Sequence, residues 1–484
     1  MKILLIEAIR HKMAAASIYP PLGIAYLEAY IKKYACFGVD IKTLSADNTD
    51  FIFSGSATAL IDAPSGNYAN HQASEIHKIH TDSIMAGGEN PEYQLGHGFL
   101  KNIESKEDFT PDIIGISSVT EGFTRAGEIA EKLRNRFGNR VPILLGGCHI
   151  SAIPGSLPES FDAAVIGEGE QTFLELLNAL EKQGKLSIED YRRIPGMAYR
   201  EGDEIKLSPD RINMPDLDII PYPRRSIPRL GITHMITSRG CPFSCVYCAT
   251  FALWGKVRAH SPGYVANEIR YLYNNLNIRQ IILFDDNFTV SKKRVKIIAD
   301  NLEKEGLSGK IKYLCYGRTK AVDKFLIDNL VRLGVDEIYL GADSIQDSVI
   351  EGGIRNKAVY GINQAAIDLC HNAGMRVNCS FVIGLPGQTT EDLDEILTFI
   401  RRNRKKLTGI QVSPINLFPG TPLWDYAQKK GKIPQTITDW SILENFTHIS
   451  GFSPDNYIYL NENMTLDTFA DYCKRFDEIV VGVN

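Results

Sequence analysis

The stretch SRGCPFSCVYCAT, residues 238–250, places three of the chain's nine cysteines within eight residues. It follows a strand-like run and precedes a helical pattern, so it reads as a loop at the carboxyl end of a sheet strand. The spacing is C-x3-C-x2-C, at Cys241, Cys245 and Cys248. Structural zinc normally takes four protein ligands, often as two separated pairs, and no second pair of this kind is present. Cys148, Cys315, Cys370, Cys379 and Cys473 remain as distant fourth ligands. A cubane of four irons is usually held by four thiolates. Three would leave one iron with an open site for a substrate or cofactor. The remaining cysteines, Cys36 among them, are scattered and the total is odd. That is no disulfide framework, and it fits a reducing cytosol.

Outward from this loop, strand-like runs recur at 234–241, 279–287, 311–318, 335–344, 376–387 and 409–418, with helical patterns such as 294–306 and 391–406 between them. A closed barrel needs eight such units in about 250 residues. Six units over 231–430 predict a partial (β/α)6 barrel, open on one side. The tail, 431–484, carries a helical stretch from Leu466 to Val481 and is expected to cap the barrel as a small C-terminal extension.

The first 200 residues alternate in the same way. Runs at 3–8, 39–45, 111–119, 141–147 and 161–170 read as strands, and 22–34, 122–138 and 171–184 as helices. Such alternation predicts an α/β, doubly wound, Rossmann-like domain with a parallel sheet. Its ligands would sit at the carboxyl ends of the strands. MKILLIEA reads as a first strand and not a signal peptide. The stretch from about 48 to 105, with His71, His77, His80 and His97, is too long for a plain connection and reads as an insertion, a candidate lid. A hairpin is expected over 195–208. Four prolines over 215–229 make 201–230 an extended linker.

The cysteine loop, with Tyr247 before its last cysteine, resembles the signature of radical S-adenosylmethionine (SAM) enzymes. Further stretches match that family in order along the chain. FDDNF (284–288) resembles its second-strand acidic motif, with Asp286 as the cofactor contact. Arg318 ends the third strand, where it could meet the cofactor's carboxylate. GADS (341–344) resembles the fourth-strand motif, with Gly341, Asp343 and Ser344; Asp343 stands where glutamate is usual, which shortens its reach. VIGLPGQT (382–389), with Gly384 and Pro386, resembles the fifth-strand glycine motif along the adenine and methionine. Each of these alone is matched by a strand-end turn that needs Gly or Asp for backbone reasons. PGTP (419–422) reads as a structural turn. The resemblance implies a 4Fe-4S cluster held by Cys241, Cys245 and Cys248, with SAM chelating the open iron.

The first domain resembles the cobalamin-binding module found in some members, the class B methyltransferase type. The residues that carry this are YPPLG (19–23), with Leu22 and Gly23, and GISSVT (115–120), with Ser117, Ser118 and Thr120. LLGGCH (144–149) adds Gly146, Gly147 and His149, and VIGEGEQT (165–172) adds Gly167, Glu168 and Gly169. Glycines where strands give way to loops let backbone approach a large flat ligand. Modules that ligate cobalt from below use D-x-H-x-x-G, and here that place reads EAIRHKMAA (7–15). The resemblance therefore implies cobalamin without a histidine ligand, His11 being a solvated loop residue and His149 a structural or propionamide contact. The G-x-G-x-x-G of a dinucleotide site is absent after the first strand. An empty, degenerate domain is the other alternative.

The implied reaction is methyl transfer from SAM, through methylcobalamin, to an unactivated carbon. Polar transfer needs a lone pair or an acidic proton at the acceptor, and an sp3 carbon has neither. In the family a 5′-deoxyadenosyl radical removes the substrate's hydrogen atom. The alternative is a non-methylating oxidation, cyclisation or rearrangement on the same architecture. An iron–sulfur scaffold or cobalamin sensor would not explain the ordered strand-end motifs. Substrates left open are a peptide, a small natural product, a lipid or a tetrapyrrole. Trp254, Tyr316 and Tyr339 are pocket candidates by position, with core packing as their ordinary role. An external one-electron reductant such as flavodoxin or ferredoxin is implied. Formal net charge is -5 with pI near 6.1, which gives no electrostatic footprint for nucleic acid. No apolar run of membrane-spanning length is present, so a cytoplasmic location is expected.

Overall fold

The computed structural model describes residues 1–8, 21–45, 109–225, 231–342, 358–443 and 449–481. The expected insertion over 48–105 lies outside the described residues, as do His11, Asp343 and Ser344. The described chain divides into two compact units.

The first unit comprises Met1–Ile212, Pro223–Ser226 and Thr438–Glu444. Its strands are β1 (Lys2–Ala8), β2 (Asp40–Ser45), β3 (Ile113–Ser118), β4 (Ile143–Gly146), β5 (Ala163–Val165), β6 (Met197–Glu201) and β7 (Glu204–Leu207). They lie in the order β2-β1-β3-β4-β5-β6-β7. The apolar run of β1 is buried on both faces, Ile3 through Ile6, as a central parallel strand requires. Parallel pairing holds from β2 to β5. The order reverses direction between β1 and β3, the switch point where such sheets bind ligands. Helices Leu22–Tyr34 and Gly169–Gln183 pack Ile24, Ile31, Phe173, Leu176 and Leu177 against Ile3 and Leu5. Each such side chain contributes about 1.5–3 kcal/mol on burial. The expected hairpin forms and extends the sheet, β6 pairing antiparallel with β5 and β7 antiparallel with β6. The sheet therefore runs through Leu207, past residue 200 where the linker was expected to begin.

The second unit comprises Asn213–Tyr222, Ile227–Ile437 and Asn445–Asn484. Its main strands are β8 (Ile232–Met235), β11 (Gln280–Leu283), β12 (Lys312–Arg318), β13 (Val335–Gly341), β14 (Arg376–Ile383) and β15 (Gly409–Pro414). All pair parallel in chain order, with β8 and β15 at the two edges. Two short strands, β9 (Ser238–Arg239) and β10 (Arg258–Ala259), pair antiparallel and close the base of the cysteine loop. The expected first strand, 234–241, is thus two pieces, parted at Ile236 and Thr237.

Alternation along the strands separates two faces. One carries Tyr313, Cys315, Ile338, Leu340, Val377, Cys379, Phe381 and Val412, all at most 1 % exposed. The other carries His234, Tyr316, Arg318, Glu337, Tyr339, Asn378 and Ser380 by register. The tail is divided. Thr438–Glu444 belongs to the first unit, whereas helix Leu466–Val481 packs in the second, where Arg404 donates to the Ile479 carbonyl at 2.6 Å. Among the described residues no helix is long and apolar enough to cross a membrane.

Candidate active site

The cysteine loop is held from several sides. Asp285 follows β11 and is 2 % exposed. Its carboxylate accepts from the Thr237 backbone N–H and hydroxyl, both at 2.5 Å, and from the Ser238 hydroxyl at 2.6 Å. Arg294 donates to the Thr237 hydroxyl (3.0 Å) and carbonyl (2.8 Å) from the other side. Asp286 takes the far part of the loop, accepting from Gly240 N–H at 3.0 Å and the Thr250 hydroxyl at 3.1 Å. Burial pushes both carboxyls above their ordinary pKa. Leu423 donates its N–H to the Val246 carbonyl at 2.9 Å, so the PGTP turn braces the loop. Gly240 has φ 94°, and a Cβ there would stand 3.3 Å from the Trp254 Cβ. Only glycine adopts that geometry without strain.

None of the three loop cysteines is in a disulfide, and all are partly exposed. Arg318, ending β12, lies with a guanidinium nitrogen 3.3 Å from the Cys245 sulfur and packs 4.4 Å from the Phe243 ring centre. A cation there favours thiolate over thiol. Burial raises the Cys241 thiol, opposed by a hydrogen bond from the Phe243 backbone. No fourth thiolate of this unit joins them. Cys315 lies on the helix-facing side of the sheet near Cys370, and Cys379 and Cys473 are buried. Among the described residues no group of three or more His, Cys, Asp or Glu can hold a single metal ion.

At the end of β14, Gly384 has φ 84°, and a Cβ would stand 2.7 Å from Phe469. Its N–H donates to Gln388 at 2.6 Å. The tail secures the rest of the loop. The Asn461 amide donates to the Leu385 carbonyl (2.6 Å) and the Gln388 carbonyl (2.8 Å), and Asn463 to the Gly387 carbonyl (2.8 Å). Gly384 is thus required by packing against the tail, whatever else the loop contacts. Gly341 ends β13 beside Arg318 and Ser380. Ala342 is fixed by Asn363, whose amide donates to its carbonyl at 2.9 Å.

In the first unit, Ser117, Ser118, Thr120, Gly146, Gly147, His149, Gly167, Glu168 and Gly169 gather at the carboxyl ends of β3, β4 and β5. Leu22 and Gly23 open the helix after β1. Gly147 has φ 104°, and a Cβ there would fall 2.2 Å from the Ser118 carbonyl oxygen. Gly23, Gly146 and Gly167 have open space where a Cβ would point. The Ser118 hydroxyl donates to the Val119 carbonyl at 2.7 Å and Thr120 pairs with His149 Nδ1 at 3.2 Å. Those two hydroxyls are engaged within the protein. His149 is 1 % exposed, stacked on Phe123 at 3.8 Å and edge-on to Trp440 at 4.4 Å. Desolvation lowers its pKa to about 3, so the ring is neutral at physiological pH. Its Nε2 is buried without a partner.

Residues 235–400 match the radical SAM superfamily and residues 98–177 the B12 binding domain. A protein named as an uncharacterized methyltransferase of Pyrococcus horikoshii is 30 % identical over 66 % of this chain and 70 % of its own length. The chain belongs to the cobalamin-dependent radical SAM enzymes. The anaerobic magnesium-protoporphyrin IX monomethyl ester cyclase of Cereibacter sphaeroides is 28 % identical, over 61 % of this chain and half of its own length. The solved structure of the radical SAM methyltransferase TsrM from Kitasatospora setae, with cobalamin and a [4Fe-4S] cluster bound, shares the fold. Its TM-score is 0.66 at 15 % identity, over 98 % of this chain and 90 % of that one.

Membership of this family brings a 4Fe-4S cluster, SAM and cobalamin, and the residues fit these groups. Three thiols share one braced loop beside a guanidinium, and three glycines leave open space around a strand-end cradle. His149 is the first unit's only histidine among the described residues. Sequence reasoning missed Asp285, Arg294, Leu423, Asn461, Asn463 and Trp440. Only the paired carboxylates of FDD gave any hint, and Asp286, expected beside the cofactor, accepts from Gly240 and Thr250 of the loop.

Proposed function

We propose that Cys241, Cys245 and Cys248 hold the cluster, and that the chain is a methyltransferase acting on an unactivated carbon. The observation that carries the cluster assignment is the loop itself. Three thiols share one segment, pinned by Asp285 at its start, by Asp286 at Gly240 and Thr250, and by Leu423 at Val246. The cofactors together supply a methyl group and a radical able to take a hydrogen atom. The chain's own part is to bind, orient and exclude water. Arg318 holds charge against the Cys245 sulfur. The Gly384–Gln388 loop, kept open by Asn461 and Asn463, presents its edge to SAM. Tyr247, Gly341 and Pro386 complete that contact set, and Asp286 acts by positioning the loop.

For cobalamin, Gly23, Gly146 and Gly167 leave room for the ring and its nucleotide tail, and Ser117 offers a hydroxyl. His149 is locked between Phe123 and Trp440, which supports cobalamin held without that histidine on cobalt. Methyl transfer is favoured over cyclisation by the names of the relatives, methyltransferases being more frequent among them than cyclases. The test is anaerobic reconstitution with iron, sulfide and hydroxocobalamin. About four irons and about one cobalt per chain are expected, with a cob(II)alamin resonance lacking nitrogen coupling. S-adenosylhomocysteine should form alongside 5′-deoxyadenosine when a substrate is supplied. 5′-Deoxyadenosine without S-adenosylhomocysteine would overturn methyl transfer.

A further inference from the structure

Two residues of the proposed cofactor site end neighbouring strands. Arg318 closes β12 and Gly341 closes β13, and they are the last partners of the β12–β13 ladder. Beyond that pair, backbone pairing no longer sets one of these strand ends against the other. A side chain takes over. Asn363 stands in the helix Ala358–Asn372 and is 0 % exposed. Its Oδ1 accepts from the Thr319 hydroxyl at 2.6 Å, and its Nδ2 donates to the Ala342 carbonyl at 2.9 Å. Thr319 directly follows Arg318, and Ala342 directly follows Gly341. The orientation of the amide is forced, because the Ala342 carbonyl can only accept and so must face the NH2 group. The Ala342 N–H donates to the Ser380 carbonyl at 3.0 Å. The end of β13 is therefore tied to β14 by its backbone and to β12 through Asn363.

We propose that Asn363 is a positioning residue for SAM binding, which sets the ends of β12 and β13 so that Arg318 and Gly341 meet the cofactor together. The inference rests on the proposed place of those two residues in the cofactor site. Asn363 is fully buried and acts through them. Arg318 holds a guanidinium nitrogen 3.3 Å from the Cys245 sulfur, so a shift of the β12 end carries that cation away from the cysteine loop. The task needs one donor and one acceptor on the same short, rigid group. A leucine of similar size offers neither, and a carboxylate offers acceptors alone. Either would leave the buried Ala342 carbonyl unpaired, which is costly in a dry interior.

The test is the pH dependence of SAM affinity in Asn363→Asp, by isothermal titration of the cluster- and cobalamin-loaded enzyme, read as the ratio to wild type at each pH. The protonated carboxyl group keeps both bonds, accepting from Thr319 and donating to Ala342. The ionised group sets an oxygen against the Ala342 carbonyl oxygen. Full burial lifts a carboxyl by as much as about 3–5 pH units from about 3.9, so the new group is protonated at pH 6 and ionised at pH 8.5. Affinity should match wild type at pH 6 and be about tenfold weaker at pH 8.5, the worth of one lost hydrogen bond. A variant that is merely loosened is weak at both. Thr319→Val removes the other bond and carries no proton, so it should weaken SAM severalfold at both pH values. Arg318→Gln reports the site assignment separately, and its SAM affinity or its iron content should fall. If neither falls, that assignment is overturned and the inference with it. If Arg318→Gln behaves as expected, the inference alone is overturned by an Asn363→Asp ratio that is the same at both pH values, or by Thr319→Val binding as wild type. Should Asn363→Asp fail to fold, Thr319→Val decides.

Discussion

Replacing Asp285 by alanine tests whether the cysteine loop is held by that buried carboxylate. Three donors converge on it from two residues, Thr237 at 0 % and Ser238 at 5 % exposure. In Asp285→Ala the two hydroxyls can rotate toward other acceptors. The Thr237 N–H cannot, and one orphaned buried donor costs about 1–3 kcal/mol. Arg294 stays bound to Thr237, so the orphaned donor sets the scale, and the second unit should lose about 1–3 kcal/mol, or roughly 2–12 °C in its unfolding midpoint for a unit of this size. Asp285→Asn keeps an acceptor for the Thr237 N–H and should lose about half as much. Calorimetry gives the midpoint, and iron per chain after reconstitution reports the loop. An alanine variant that melts with wild type and retains its iron would refute the reasoning.

The paired glycines of the first unit should separate. Gly147→Ala, with its Cβ 2.2 Å from a carbonyl oxygen at φ 104°, should destabilise by about 3 kcal/mol or more in urea unfolding. Gly146→Ala, with open space, should unfold like wild type but lose hydroxocobalamin on gel filtration, and full retention would remove that glycine from the cradle. Desolvation holds His149 at about 3 and His260 at about 4. Both lie below the ordinary value of about 6.5, so the unfolded chain binds more protons in between. Their contribution is complete above pH 6.5 and falls by about 1.4 kcal/mol per pH unit for each histidine as pH drops toward those values. Urea unfolding at pH 7 and 5 should show a shallower pH slope in His149→Gln, and an unchanged slope would contradict the burial argument. Asn461→Ala removes two donors from the Gly384–Gln388 loop and should weaken SAM binding in isothermal titration while iron content stays at wild type; loss of iron with unchanged SAM affinity would reverse that assignment.

Local pattern sufficed for the α/β alternation, the hairpin at 197–207 and the cysteine loop, because each is written in residues close along the chain. Short apolar runs specify buried strands, and three thiols in eight residues specify a ligand loop. Distant contacts leave no such mark. The partners of Asp285 lie 47 and 48 residues away, those of Asn461 lie 73 and 76 away, and Trp440 meets His149 across nearly 300 residues. Asp286 shows the limit most plainly. A strand-end carboxylate is equally suited to a cofactor or to backbone N–H groups, and that Gly240 and Thr250 donate to this one is visible only in the folded loop. The sequence by itself determined which chemistry the chain can hold, since thiol spacing is covalent. The tertiary structure decided which side chains brace that chemistry, because burial and hydrogen bonding are settled only when distant segments meet.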